Sequence, residues 1–92
     1  MADVIVKLKI MPVGIDVSLD KLHMECEAKI KAFGAKLIHS VNQEPVAFGL
    51  KALVIVFLID EQKSNMEALE NEIKKVKGVN SAEVIDVRRA LG

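Results

Sequence analysis

Residues 42–60 read NQEPVAFGLKALVIVFLID and hold the most apolar segment of the chain. Within the ten residues 50–59, the only charged side chain is Lys51. A segment of this length is too short for a membrane-spanning helix, which needs about 20 apolar residues, but it suits a long strand. Because its aliphatic residues occupy both alternating faces, we predict that this strand lies inside a sheet with a neighbour on either side.

The composition limits the kind of protein this can be. The chain has 92 residues, 51% apolar and 28% charged, so we expect one domain over residues 1–92 with a single core. Thirteen basic residues balance thirteen acidic ones, and the only aromatic residues are three Phe. This chain therefore lacks the basic stripe and the stacking surface typical of nucleic-acid binding, and we predict no direct contact with nucleic acid or a membrane.

The cellular compartment is indicated by the single cysteine and by the first residues. Cys26 has no partner for an internal disulfide, which favours a reducing compartment. No signal peptide is predicted, because the chain starts without basic residues and Lys7 and Lys9 interrupt its first apolar run. Together these observations predict a cytoplasmic protein.

The segments before the central strand predict a strand and a helix. Residues 3–11 alternate apolar and polar side chains, as a half-buried strand does. Residues 19–33 carry apolar side chains at helical spacing, with Asp16 or Ser18 as candidate N-caps. Gly34 follows the last turn, where a glycine commonly ends a helix.

The remaining segments predict an edge strand, a second helix, a last strand and a tail. These are residues 35–41, 66–76, 80–87 and 88–92, in this order. Ser64 or Asn65 is the candidate N-cap of the second helix, and Gly78 is the residue expected to end it. The helix has a strict one-face apolar pattern, whereas the inward face of the last strand is ambiguous.

The predicted order β-α-β-β-α-β is typical of the ferredoxin-like fold of the α+β class. In it, a four-stranded antiparallel sheet with strand order 4-1-3-2 carries both helices on one face. We expect the face without helices to carry Leu53, Ile55, Phe57 and Ile5 beside Lys7, Lys9 and Lys51. A partly apolar face of this kind can be a partner surface, or lysine stems can cover it.

No catalytic or metal-binding grouping is recognisable in the sequence. His23 and Cys26 could share a helix face, but a metal site needs three or four ligands and no further ligand is obvious in the sequence. Neither a Ser/His/Asp grouping nor a phosphate-binding glycine motif is present. We therefore predict a binding module without catalytic residues, metal or cofactor, and not an enzyme.

Two stretches, EPVAFGLKAL at residues 44–53 and DVRR at residues 86–89, resemble the archaeal elongation factor 1-beta family. The resemblance covers the whole chain and implies the ferredoxin-like fold and a role in translation. It implies guanine-nucleotide exchange on the GTPase elongation factor 1-alpha, an activity that needs no bond-making residue. It also implies that the factor acts on the GTPase's Mg²⁺ and on the loops that hold it.

The resemblance also implies a set of partner-binding residues. These are Phe48, Gly49, Lys51, Asp86, Arg88 and Arg89. Phe48 matches the aromatic residue that contacts the GTPase in the family, and the alternative is a core Phe shielded by its turn. Gly49 and Asp86 could instead have structural roles, and the two arginines could be solvated tail residues.

One departure from the family pattern affects the implied mechanism. Eukaryotic relatives carry a next-to-last lysine that reaches the magnesium site, whereas this chain ends in Arg-Arg-Ala-Leu-Gly. Displacement of the ion therefore does not transfer by residue match. In the predicted topology, the turn at Phe48 and the C-terminus lie at opposite ends of the sheet. About eight strand residues at ~3.3 Å each separate them by about 25 Å, so only a large partner could contact both ends.

We predict a monomer that binds elongation factor 1-alpha. The alternative is a regulatory domain that senses a small molecule and dimerises through the open sheet face, as suggested by Leu53, Ile55 and Phe57. A small enzyme is a third class, for which the sequence shows no catalytic grouping.

Overall fold

The computed structural model describes residues 2–63 and 65–90. The elements are β1 (Asp3–Pro12), α1 (Leu19–Phe33), β2 (Leu37–Pro45), β3 (Lys51–Asp60), a 3-10 turn (Glu61–Lys63), α2 (Met66–Lys74) and β4 (Val79–Arg89). All strand pairs are antiparallel, and the sheet order is β2-β3-β1-β4. This is the predicted order 4-1-3-2 read from the other edge, so the predicted ferredoxin-like α+β fold is confirmed.

The core lies between the helices and one face of the sheet. β1 buries every second residue, and Leu8 stands opposite Ile55 of β3. Directly opposed residues of an antiparallel pair point to the same face, so both side chains enter the core. From the helices, Leu22 of α1 and Leu69 of α2 join the same cluster. β3 lies between β2 and β1 in the sheet, which agrees with the predicted position of this strand.

The predicted position of Leu53, Ile55 and Phe57 on the open sheet face is wrong. These three side chains are at most 1% exposed and belong to the core cluster. Both faces of β3 are aliphatic, so the local pattern does not show which face turns towards the helices, and a shift of one residue would exchange them. The register with β1 decides it. By that register, the open face carries Ile5, Lys7, Lys9, Ala52, Val54, Val56 and Leu58.

Two strands are longer than predicted. β2 continues to Pro45 and pairs with β3 as far as Lys51, because an exposed edge strand tolerates the polar residues after Val41. β4 extends through Arg89, which stands opposite Val4 of β1. The two arginines assigned to the tail are therefore strand residues, while residues 91–92 lie outside the described residues.

The first helix begins and ends as its sequence predicts. The Ser18 side chain is the N-cap and accepts a hydrogen bond from the Lys21 N–H at 3.4 Å. Gly34 follows Phe33 with a φ of 131°, and its N–H donates to carbonyls of the last turn. Of the two N-cap candidates, Ser18 is therefore the correct one.

The second helix is shorter than predicted. Asn65 is the N-cap and accepts from the Ala68 N–H at 3.1 Å, while Ser64, the other candidate, lies outside the described residues. The helix ends at Lys74 and not just before Gly78. The chain then tightens, and the Val76 N–H donates to the carbonyl of Ile73 at 3.0 Å, which keeps the Val76 side chain in the core.

Cys26 lies in the core and is fully buried. Burial raises the pKa of its thiol to about 12 from the usual 9.0, and the neighbouring charge of Glu25 adds to this. Reaction with a thiol reagent near pH 8 should therefore be about a thousandfold slower than for an exposed cysteine, because the thiolate is the reactive form.

The same shift predicts how stability depends on pH. Because the folded-state pKa is the higher one, the free energy of unfolding should fall as pH rises from 9.0 towards 12. This contribution should be missing from Cys26→Ala when both chains are unfolded with urea across that range. Rapid labelling of the native protein, at the rate seen in denaturant, would contradict the buried position.

Candidate functional site

The hairpin between β2 and β3 presents an aromatic side chain at its tip. The Leu50 N–H donates to the Ala47 carbonyl, and the Val46 N–H donates to the Leu50 carbonyl, both at 2.9 Å. The two central residues, Phe48 and Gly49, have φ values of 54° and 80°. Positive φ at both central positions is typical of a type I′ turn, which normally carries Asn-Gly.

Phe48 is exposed and strained. Its side chain is 97% exposed, so the alternative of a shielded core Phe is wrong. Among the described residues other than glycine, it is the one with a positive φ. A left-handed conformation costs a bulky residue about 1–2 kcal/mol, and such strain tends to occur at functional sites. Large aromatic side chains also dominate the binding energy of many interfaces.

The loop between β1 and α1 lies beside this hairpin. The Cγ2 atom of Ile15 lies 3.8 Å from the position that a Cβ on Gly49 would take. Gly49 thus has a positive φ, which glycine adopts without strain, and Ile15 lies near it. Lys51 is exposed at the start of β3, opposite Pro45. An open cleft of about 330 Å³, lined by Ile15, Gly49 and Lys51 among others, separates the loop, the hairpin and the start of α1.

Further exposed apolar residues lie at the same end of the molecule. Val13, Ile15, Val46 and Phe48, which we call the hairpin-end residues, are all exposed large apolar side chains. Of these four residues, only Phe48 was predicted from the sequence as a contact residue. An available signal was the apolar Val-Gly-Ile run after Pro12, in a segment with no helix or strand pattern.

The predicted residues near the C-terminus form a second group. Arg88 Nε donates to Asp86 Oδ2 at 2.8 Å, and Arg89 Nη2 donates to both carboxylate oxygens of Glu61, at 3.0 and 3.3 Å. Both arginines belong to β4 and not to a tail, and their side chains are exposed beside acidic neighbours. Exposed ion pairs of this kind contribute at most about 1 kcal/mol, so a partner can exchange them at little cost.

A further ion pair, between Lys36 and Asp3, lies at the same end of the sheet. The Lys36 ammonium donates to Asp3 at 2.8 Å, and this hydrogen bond raises the pKa of the lysine. The backbone of Asp3 in turn accepts from the Ala90 N–H at 2.9 Å. This end of the sheet therefore carries paired charges, whereas the hairpin end exposes four large apolar side chains.

The register places the two groups at opposite ends of the sheet, as predicted. Arg88 stands opposite Ile5 of β1, whereas Ile10, near the other end of β1, stands opposite Leu53 just after the hairpin. With a rise of about 3.3 Å per strand residue, the tip at Phe48 lies about 25 Å from Arg88. The structure thus brings together Phe48, Gly49 and Lys51, and separately Asp86 and Arg88.

The described residues form no cluster that could bind a metal ion. Within residues 2–63 and 65–90, no three His, Cys, Asp or Glu side chains are placed to share a metal ion. His23 lies with its Nε2 atom 3.6 Å from Glu27 Oε2, while Cys26 is buried in the core. Neither described helix is long and apolar enough to cross a membrane.

These features define a small α+β binding protein that offers an apolar surface at one end of its sheet and a charged surface at the other. The family model for the EF-1 guanine nucleotide exchange domain matches residues 5–90. The chain belongs to this family, and the resemblance seen in residues 44–53 and 86–89 is confirmed.

Its relatives are archaeal proteins named Elongation factor 1-beta. The protein of Methanosarcina barkeri is 39% identical, over 97% of this chain and 99% of the relative. That of Methanothermobacter thermautotrophicus is 37% identical, over 99% of this chain and all of the relative. That of Nanoarchaeum equitans is 40% identical, over 90% of this chain and all of the relative.

Membership of this family gives the general function. The chain is a translation elongation factor that acts in guanine-nucleotide exchange, and its domain implies interaction with elongation factor 1-alpha. The alternative of a ligand-sensing domain that dimerises through the open sheet face is not favoured. Its motivating residues, Leu53, Ile55 and Phe57, lie in the core.

Proposed function

We propose that residues 1–92 work as a single exchange domain that binds elongation factor 1-alpha and weakens its hold on GDP and Mg²⁺. The observation that carries this proposal is Phe48, an almost fully exposed aromatic ring on a strained hairpin tip. Such a ring has no packing role in the chain itself. It is a suitable anchor for a pocket on a protein partner.

The proposed mechanism needs differential binding and no catalytic residue. An exchange factor binds the nucleotide-free GTPase more tightly than the GDP-bound form. By linkage, the factor and the nucleotide must weaken each other's binding by the same free energy, typically about 1–3 kcal/mol or about 5–150-fold in affinity. The absence of bond making is consistent with a site made of apolar and charged contact residues.

We assign the contacts to both ends of the sheet. Phe48, Gly49 and Lys51 form the contact at the hairpin end. Asp86, Arg88 and Arg89 form the contact at the other end, where the arginines exchange their internal partners for acidic groups of the GTPase. A partner that touches both must span about 25 Å. The GTPase meets this requirement as a large protein, whereas a metabolite does not.

The oligomeric state, the compartment and the partner belong to the same proposal. We propose a monomer in the cytoplasm that contacts elongation factor 1-alpha, in its GDP-bound or nucleotide-free form, without direct contact to nucleic acid or membrane. The balanced charge of the chain and its single buried cysteine support this.

The experiment is release of a fluorescent GDP analogue from elongation factor 1-alpha of the same organism, with and without this protein. We expect release to accelerate by at least about tenfold at saturation. A titration with Mg²⁺ then tests how exchange proceeds, since an acceleration that disappears at high Mg²⁺ indicates competition with the ion. The proposal fails if release is unchanged at every Mg²⁺ concentration.

The charged end gives a separate prediction. Replacing both Arg88 and Arg89 by alanine should lower the acceleration about tenfold, with a loss that shrinks at high salt because charged contacts mainly promote association. The matched control is Lys36→Ala, which removes another exposed and paired cation from the same end. Equal losses of acceleration in both variants would mean that only the overall charge of this end affects binding. The arginines would then have no specific contact with the GTPase.

A further inference from the structure

We infer that Ile15 of the β1–α1 loop is a second anchor for the GTPase and also positions the Phe48 turn. This inference rests on the proposed function and extends it to a segment for which the resemblance implied no contact residue. The surface would be formed by Ile15, Val13, Val46 and Phe48, the hairpin-end residues.

Exposure is the first observation behind this inference. Eight large apolar side chains are exposed within residues 2–63 and 65–90, and four of them are the hairpin-end residues. Single exposed apolar residues are normal on a soluble protein, but a concentration at one end marks an interaction surface. Ile15 is 73% exposed, although it belongs to a residue type that is usually buried.

The second observation is the position of Ile15 beside the turn that carries Phe48. The Cγ2 atom of Ile15 lies 3.8 Å from the position that a Cβ on Gly49 would take, and Gly49 follows Phe48 in the chain. The loop that carries Ile15 is itself held in place, because the Val13 N–H donates to the carbonyl of Gly78 at 2.9 Å. Ile15 therefore lies beside the strained turn and is largely exposed to solvent. A partner that takes the Phe48 ring would meet Ile15 as part of the same surface.

The occupant we infer is the GTPase and not a second copy of this chain. The hairpin-end residues are continuous with the contact proposed for Phe48, because Ile15 and Gly49 line the same cleft. A second anchor in a separate loop also fits a partner large enough to reach the far end of the sheet. A self-association of the chain is an outcome that the following experiment distinguishes.

The test compares Ile15→Asp with Met24→Asp in the release of a fluorescent GDP analogue from elongation factor 1-alpha. Both side chains are exposed to nearly the same extent, 73% and 70%, so the two variants place the same charge at equivalent apolar positions. We expect Ile15→Asp to raise the half-saturating concentration of the factor at least tenfold and Met24→Asp to change it less than twofold. Both variants should keep the melting temperature of the unaltered chain. The conservative variant Ile15→Val should keep most of the exchange activity.

The positioning role has its own measurement. Ile15→Ala and Phe48→Ala should lose less together than the product of their separate losses, since one residue acts partly through the other. If Phe48→Ala slows exchange and Ile15→Asp does not, the inference is overturned and the proposed function stands. If the unaltered protein does not accelerate release, both fall. If light scattering shows a dimer that Ile15→Asp dissociates, the surface belongs to a second copy, which also overturns the inference.

Discussion

Phe48→Asn is expected to remove most of the exchange activity while it preserves or raises the thermal stability. Asparagine adopts the left-handed conformation more readily than phenylalanine and is the preferred first central residue of a type I′ turn. Relief of part of the ~1–2 kcal/mol of backbone strain should raise the melting temperature by up to about 4 °C. The almost fully exposed ring makes little packing contribution that its removal could cost.

The loss of activity has a different origin. Truncation of an aromatic anchor at the centre of an interface commonly costs at least about 2 kcal/mol, which corresponds to about 30-fold in affinity for the GTPase. Exchange at a fixed, subsaturating concentration of the factor should fall by a similar amount. The measurement pairs GDP release with thermal unfolding followed by circular dichroism.

Met24→Asn provides the control for Phe48→Asn. It replaces another strongly exposed apolar residue by asparagine, on α1 and away from the hairpin, and should leave exchange unchanged. A marked fall in the melting temperature of Phe48→Asn would reveal a structural role for the ring. Unchanged exchange in this variant would remove Phe48 from the interface.

The secondary structure was predictable wherever a local pattern determines it. The alternation along β1 and the helical spacing of α1 each have a buried face that only one element type can produce. Ser18 and Asn65 are caps because their side chains accept hydrogen bonds from nearby N–H groups, which is a local effect. The facing of β3 was not predictable, because its two faces are both aliphatic and the choice depends on the distant pairing with β1.

The candidate site was predictable only in part. The resemblance pointed to Phe48, but its exposure depends on a type I′ turn with Phe in the usual place of Asn. Ile15 was missed because an apolar residue in a loop has no periodicity to interpret. The partners of Arg88 and Arg89 were missed because these residues were assigned to a tail, whereas pairing with β1 continues through them.

Phe57→Ala should produce the largest loss of stability among the variants proposed here, because Phe57 is buried whereas Phe48 is exposed. Its side chain is fully buried opposite Val6, so its removal leaves a cavity in the core. Such a change costs about 3–5 kcal/mol, a large part of the 5–15 kcal/mol that typically stabilises a domain. The control is Leu58→Ala, the next residue of β3, which is half-buried on the open face and should cost less than half as much.

Urea unfolding of the two variants tests the register directly. If the cost were larger at Leu58 than at Phe57, β3 would face the other way and the open sheet face would again be an apolar partner surface. At a temperature where Phe57→Ala is still folded, its exchange activity should remain close to that of the unaltered protein. The ring has no access to a partner, so two phenylalanines nine residues apart, Phe48 and Phe57, should separate binding from stability.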